Sequence, residues 1–245
     1  MHGMTALTRP ADARSGDRHV FGFENVIDEI CGMAWEQLDS DEVLQVAHAY
    51  YYFSIQFREN LEIACALRPG DRKLKALCAG ECDTDNLSPW PEIAAPGEKM
   101  NHDEFMRRLL SLQPSADAEY IEVLGASYLG RVRAVDKMAR ACSIASYEDG
   151  GLWRVFTAML RAPEWHGAGQ RAFRFFLEQH IRFDTDDEVG HGSLSRHLPT
   201  SDAILPLWSA FAALLALAVP RLVRGVASDP ARQPLVLWPA AVHRL

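Results

Sequence analysis

The chain lacks the features of a protein that binds nucleic acid. Lysine and arginine total 25 residues against 33 aspartates and glutamates, which leaves a formal net charge of −8. Because phosphate binding requires clustered positive side chains, this balance argues against nucleic acid as a main partner. Alternation of apolar and polar residues never outlasts about five positions, so the sequence does not predict strands.

Cysteine is also scarce. The five cysteines are an odd number, and no apolar leader segment precedes them. A reducing cytoplasm is therefore the expected location. Cys78 and Cys82 have the spacing CxxxC, but no second pair and no nearby histidine completes a zinc site.

One uncharged run, Ala203–Pro220, approaches the length of a membrane span. Asp202 and Arg221 enclose it closely, and it is rich in alanine. These features favour a buried helix of a bundle and no membrane contact, with attachment to a membrane through this run as the alternative.

The sequence does contain helical periodicity, interrupted by capping residues, proline and glycine. Its length of 245 residues and ordinary composition predict one domain. Residues 1–20 are expected to form a loose N-terminal tail, 21–227 a single helical-bundle domain, and 228–245 an irregular C-terminal tail. The fold class is all-α, a compact bundle of about seven helices. The first predicted helix begins near Gly22, and the next ones cover 41–67, 71–85 and 104–112. A long helical segment follows over 115–161, with an interruption near Gly150. A further helix runs from Ala168 into the acidic stretch 184–188, and the last one covers 203–220.

The segment 175–198 carries the strongest chemical signal. His180, Asp184, Asp187 and His191 follow one another at steps of three or four residues, which place them on one face of a continuous helix. The apolar positions before His180 lead into this polar stripe, so it is expected to point into the bundle and to supply metal ligands. The alternative is an exposed polar face whose helix ends at Gly190.

Two acids and one histidine on other helices are further candidates. Glu81 and Glu148 are each surrounded by small or apolar neighbours, and a lone buried carboxylate is costly unless it is paired or bound to a metal. The alternative for both is an exposed position at a helix end. His102 starts a predicted helix, and by itself it is better explained as a residue in a solvated N-terminal turn.

In order and spacing, these residues resemble the heme-oxygenase-like diiron oxygenases. The matching features are a helix that ends with Glu81, the helix start Asn101-His102, the pair Tyr147-Glu148 and the sequence His180-x-x-x-Asp184. The resemblance spans about residues 45–198. It implies a heme-oxygenase-like fold and a ligand set of Glu81, His102, Glu148, His180, Asp184 and His191, with no catalytic residue beyond the ligands.

The last ligand departs from the family pattern. Asp187 or Glu188 stands where the family's third ligand usually follows the aspartate, and His191 lies one turn further. Either a local bulge brings in His191, or the carboxylate of Asp187 replaces it. Some relatives carry an extra glutamate on an early helix, which makes Glu59 or Glu62 a weaker candidate.

The resemblance also implies the chemistry. Two Fe(II) ions per chain would activate O2, the co-substrate, to oxidise a small amine or amino-acid-like substrate in specialised biosynthesis, by N-oxygenation or oxidative rearrangement. Oxidative desaturation or C–C cleavage at the same site is the alternative. An external electron donor and a homodimer are further expectations. A metal-free helical enzyme of the same fold and a non-catalytic interaction protein are the rival hypotheses.

Overall fold

The computed structural model describes residues 22–81, 90–184 and 191–224. Helices account for most of these residues, and no strand occurs among them, so the predicted all-α class is confirmed. The helices are α1 Gly22–Cys31, α2 Ser40–Leu67, α3 Arg72–Gly80, α4 His102–Leu112, α5 Ala118–Ala134, α6 Lys137–Ser146, α7 Leu152–Met159, α8 Ala168–Asp184, α9 His191–Ser195, α10 Leu205–Ala218 and α11 Arg221–Arg224.

The long helix α2 is the centre of the bundle and packs against α4, α5, α6, α8 and α10. Asp39 caps its start by accepting hydrogen bonds from the backbone N–H groups of Asp41 and Glu42, and Glu42 accepts one from Asp39 in return. This capping box satisfies N–H groups that have no partner inside the helix. The helix ends before Pro69 and Gly70, as the sequence predicts.

An aromatic cluster forms the middle of the core between α2, α7, α8 and α10. Tyr50 of α2 contacts Phe156, Phe176 and Phe211, with ring centroids 5.5 to 6.5 Å apart. Phe53, one turn later on α2, packs on Phe211. These rings bury large apolar areas at the centre of the bundle, and Phe156 and Phe176 also contact the histidine of α8 described below.

The uncharged run identified in the sequence forms α10. Pro206 occupies its first turn, where no backbone N–H is required, and Trp208 and Phe211 are fully buried. The helix packs against α1 and α5. Among the described helices, none has both the length and the apolar character needed to cross a membrane.

Two predicted helix boundaries differ from the structure. The continuous helix expected from residue 115 to Gly150 is wrong, because α5 ends at Ala134 and Asp136 starts α6 by accepting hydrogen bonds from two backbone N–H groups. The signal that the sequence offered, and that was missed, is Asp136, a residue type that often caps the start of a helix. The helix α3 ends at Gly80 and not near Asp85. The predicted tails, 1–20 and 228–245, lie outside the described residues.

Candidate metal centre

Five side chains predicted as ligands converge at one place in the bundle, each from a different element. Glu81 follows the last residue of α3, His102 is the first residue of α4, and Glu148 lies in the turn between α6 and α7. His180 lies four residues before the last residue of α8, and His191 is the first residue of α9. Four of the five residues are buried, and the His102 side chain is 10% exposed.

Glu81 is at the centre of these contacts. Its Oε2 lies 2.9 Å from Nδ1 of His102, and its Oε1 lies 2.8 Å from Nδ1 of His191. Nδ1 of His191 also lies 3.2 Å from Oε2 of Glu148, and Nε2 of His180 lies 3.3 Å from Nδ1 of His102. The two oxygens of one carboxylate therefore face two different histidines.

An irregular turn positions Glu148. Residues Tyr147–Gly151 form a kinked turn between α6 and α7 in which Asp149 and Gly150 leave helical geometry, and Gly150 has a φ of +113°, which L side chains rarely adopt. Gly192 allows α9 to approach the turn, because a Cβ at this position would lie 3.1 Å from the Glu148 carbonyl oxygen.

The ring of His180 is held by the helix that carries it. Its Nδ1 lies 2.7 Å from the backbone oxygen of Phe176, to which it can donate, and the ring packs on Phe176 with centroids 4.0 Å apart. Phe156 contacts the ring edge. A hydrogen bond from Nδ1 to a carbonyl leaves Nε2 as the electron-pair donor, which is the usual arrangement for a metal-ligating histidine.

The pKa shifts reflect burial and mutual charge. Burial lowers the pKa of His180, with a further contribution from His102, to about 3, so this imidazole is neutral. Burial also acts to lower the pKa of His191, but Glu81 and Glu148 outweigh it and raise that pKa to about 11. Burial would raise the pKa of Glu81, but His102 and His191 hold it well below its usual range, whereas burial raises the pKa of Glu148. Without a bound ion, His191 would therefore keep a proton beside an ionised Glu81.

The donor set fits a metal ion. One ligand atom each from Glu81, Glu148 and His191 lie within 4.8 Å of one another, and all three residues are buried. Within the described part of the chain, Nε2 of His102 and Oε2 of Glu148 are buried without a hydrogen bond. Buried polar atoms are normally satisfied, so such atoms beside a cluster of acids indicate a place for an ion. Mixed imidazole and carboxylate donors suit iron, manganese or zinc.

The remaining predicted residues lie elsewhere or outside the described side chains. Asp184 is the last residue of α8, with a side chain outside the described part, and Asp187 falls in the undescribed segment 185–190. Glu59 does not join the cluster, because its carboxylate pairs with Arg133 and Arg140. Glu62 is 60% exposed and pairs with Arg58.

His180 and His191 lie on different described helices. His180 belongs to α8, Ala168–Asp184, and His191 begins α9, which packs against α3 and the 147–151 turn. The segment 185–190, on which the expected single helical face from His180 to His191 depends, lies outside the described residues.

Sequence reasoning missed the polar network beneath Glu148. The side-chain amide of Gln56 donates to the Tyr147 hydroxyl at 2.7 Å, and its oxygen accepts from Tyr128. Ser146 accepts from the indole of Trp208 at 3.0 Å. These hydrogen-bonded groups fix the chain immediately before Glu148. The position of Tyr147 directly before a candidate ligand was the available signal.

A cavity of about 150 Å³ opens beside the cluster. Glu81 and His102 line its inner end, and Phe57, Arg58 and Cys78 belong to its wall. Arg58 pairs there with Asp103 and Glu62. The cavity gives a small molecule access to the side of the cluster formed by Glu81 and His102.

A comparison of the chain with protein-family models, with curated proteins and with solved structures finds no match.

Proposed function

We propose that this protein is a non-heme, iron-dependent oxidoreductase that uses O2 to oxidise a small amine or amino-acid-like substrate. The observation that carries the proposal is the convergence of Glu81, His102, Glu148, His180 and His191 in one buried cluster. Keeping so many ionisable groups away from water is costly without a bound ion to compensate for it. The resemblance of these residues to heme-oxygenase-like diiron oxygenases supports iron among the metals that the donor set suits.

The contacts divide the cluster into two halves that meet at Glu81. Oε2 of Glu81 faces His102, next to His180, whereas Oε1 faces His191, next to Glu148. Two Fe(II) ions would be held by these halves, with Glu81 contributing to both. Bound iron would supply the electrons that reduce O2, and the remaining functions belong to the chain itself.

Each ligand side chain has a separate preparatory role. His180 is neutral and oriented by the Phe176 carbonyl, so it can bind without releasing a proton. His191 must lose its proton before Nδ1 can bind a metal, and metal loading is therefore coupled to proton release there. The aromatic side chains of Phe156 and Phe176 exclude water from the inner side of the cluster.

The lining of the cavity suits a small substrate that carries one positive and one negative charge. Arg58 and Glu62 lie on its wall, and together they offer a positive and a negative group to a zwitterion such as an amino acid. Phe57 and Leu61 add an apolar surface for a side chain. A substrate bound there would lie next to Glu81 and His102.

Iron binding by matched variants tests the proposal. The full chain is loaded with Fe(II) without oxygen, freed of excess metal and measured for iron per chain, and we expect two ions. His180→Gln should lose iron, whereas His48→Gln should retain it, because His48 is equally buried but stacks on Tyr52 outside the cluster. Equal iron content in the two variants contradicts the assignment of the site.

Oxygen exposure then tests the reaction class. The loaded protein is mixed with O2 in the presence of individual amino acids and simple amines, and the visible spectrum and oxygen consumption are followed. We expect a transient visible band whose lifetime one substrate shortens, together with an oxidised product of that substrate. Iron binding without oxygen consumption under any of these conditions contradicts the oxidoreductase.

A metal-free enzyme of the same fold is the second candidate, and the ion pairs within the cluster favour it. Glu81 and His191 already form a carboxylate–imidazole pair with perturbed pKa values, which is a common arrangement for acid–base catalysis. A chain that takes up no iron, manganese or zinc would support this candidate over the iron enzyme.

A further inference from the structure

We infer that Cys65 and Cys78 form a reversible disulfide site, which joins α2 to α3 beside the candidate metal centre. The two Sγ atoms lie 2.7 Å apart, in thiol contact and without a bond between them. This separation is about 0.7 Å longer than a disulfide bond, so closing it requires only a small movement. The inference does not depend on iron binding, because the contact lies between α2 and α3 and includes none of the candidate ligands.

The chain between the two cysteines favours the pairing. The residues between α2 and α3, including Pro69 and Gly70, turn the chain back, so that Cys65 near the end of α2 faces Cys78 on α3. Cys65 also lies 3.6 Å from the backbone oxygen of Leu74, to which its thiol donates. This contact holds the Cys65 sulfur towards α3 already in the reduced protein.

The accessibility of the thiols and their relative reactivity both favour oxidation of Cys65 and Cys78. Both thiols are half-buried, and Cys78 is part of the wall of the 150 Å³ cavity, which a small oxidant can enter. Cys31 and Cys142 lie on α1 and α6, and burial raises the pKa of each of these thiols, which makes them less reactive. Oxidation should therefore start at Cys78 and be resolved by Cys65.

Hydrogen peroxide is the oxidant that we assign to this step. The Cys78 sulfur attacks one peroxide oxygen and breaks the O–O bond, which yields a sulfenic acid and one water molecule. The Cys65 sulfur then attacks the sulfenic sulfur, the S–S bond forms, and the oxygen leaves as a second water molecule. Two thiols lose two electrons and two protons, and one peroxide is reduced to two water molecules.

The position of Glu81 gives the bond a consequence for the metal centre. Cys78 lies in the last turn of α3, and Glu81 follows three residues later at the end of the same helix. A disulfide would fasten this end of α3 to α2 and restrain the segment that presents the Glu81 carboxylate to His102 and His191. The thiol pair thus links the redox state of the surroundings to the rigidity of the site.

Peptide mapping of the full chain tests the inference. The reduced protein is treated with peroxide, its remaining thiols are alkylated after unfolding, and tryptic peptides are analysed by mass spectrometry. Free thiols should fall from the five cysteines of the chain to three. Peptide 59–72, which contains Cys65, should be joined to peptide 76–99, and reduction with dithiothreitol should separate them.

Single serine variants assign the pair, because peptide 76–99 also contains Cys82. Cys82→Ser should keep the link between the two peptides, whereas Cys65→Ser and Cys78→Ser should each abolish it. A bond between Cys78 and Cys82 with Cys65 alkylated would overturn the inference. It would equally be overturned by a wild-type protein that retains five alkylated cysteines after peroxide treatment.

Discussion

Replacing Glu148 with glutamine should separate metal binding from the stability of the metal-free fold. Glu148 is 4% exposed, and its Oε2 lies close to His191 without a hydrogen bond among the described residues. Glutamine has nearly the same shape, and His191 keeps its contact with Glu81 at 2.8 Å. We therefore expect the metal-free variant to unfold within a few degrees of the wild type, but to bind metal much more weakly.

The magnitude of the metal effect follows from linkage. An ion that binds only the folded protein, at a free concentration of about one hundred times its Kd, stabilises the protein by about 2.7 kcal/mol. For a chain of this size, each kcal/mol shifts Tm by about 2 to 4 °C. The ion held by His191 and Glu148 should therefore raise the Tm of the wild type by about 5 to 11 °C, and this contribution should be absent from Glu148→Gln.

Differential scanning calorimetry under anaerobic conditions measures both quantities. Fe(II) is the test ion, and Mn(II) serves as a second ion of similar ligand preference that does not react with oxygen as readily. Glu59→Gln is the matched control, since Glu59 is a partly buried carboxylate that pairs with Arg133 and Arg140 outside the cluster. It should lose about 1 to 3 kcal/mol of stability and keep the full metal-induced shift.

Two results would refute this reasoning. A metal-induced rise in Tm that is equal in Glu148→Gln and the wild type would show that Glu148 is not a ligand. Loss of the metal shift in Glu59→Gln would show that the cluster around Glu81 is not the binding site.

Three further substitutions test how the site is built. Gly192→Ala should lower iron content and cost about 1 to 2 kcal/mol in urea unfolding, because the new Cβ would crowd the Glu148 carbonyl oxygen at 3.1 Å. Tyr147→Phe should cost about 1 to 3 kcal/mol in the same assay, since it leaves the buried amide of Gln56 without its acceptor. Asp71→Ala should cost about 1 kcal/mol by removing the cap of α3. Burial acts to raise the pKa of Asp71, but hydrogen bonds from His197 and backbone N–H groups outweigh it and lower that pKa below 3.8. The loss of stability in Asp71→Ala should therefore be largest above pH 3.8 and should become smaller as the pH falls further.

A specific result would contradict each of these three predictions. Unchanged iron content in Gly192→Ala would mean that α9 has room to move away from the turn. A free energy of unfolding for Tyr147→Phe equal to that of the wild type would show that the network does not support the turn. A cost of Asp71→Ala that is independent of pH down to strongly acidic solution would mean that the charge of the cap contributes nothing.

Most helix boundaries could be predicted because their signals are local. Asp39 and Asp71 cap α2 and α3 within three residues of the N–H groups that they satisfy, and Pro69 and Gly70 separate the two helices. The break before Asp136 carries the same kind of signal. It was missed because the apolar periodicity on both sides continues without interruption.

Part of the site could also be predicted, from the cost of burying charge. Glu81 and Glu148 each follow a run of small or apolar residues, and His180 ends an apolar stripe, so an inward position follows for all three. His102 gave no such signal, because a histidine at a helix start is as consistent with solvent exposure as with burial. Only the resemblance to a known family included it.

The sequence by itself determined the all-α class, the main helices and the inward direction of the two acids, because backbone periodicity, caps and burial of charge act over short distances along the chain. The tertiary structure decided how these residues meet. His191, at the start of α9, reaches Glu81 at the end of α3, and Gly192 permits a close approach to the Glu148 turn. The contact between Cys65 and Cys78 likewise depends on how α3 folds back on α2. Such contacts arise from the packing of separate elements, which no spacing within one helix encodes.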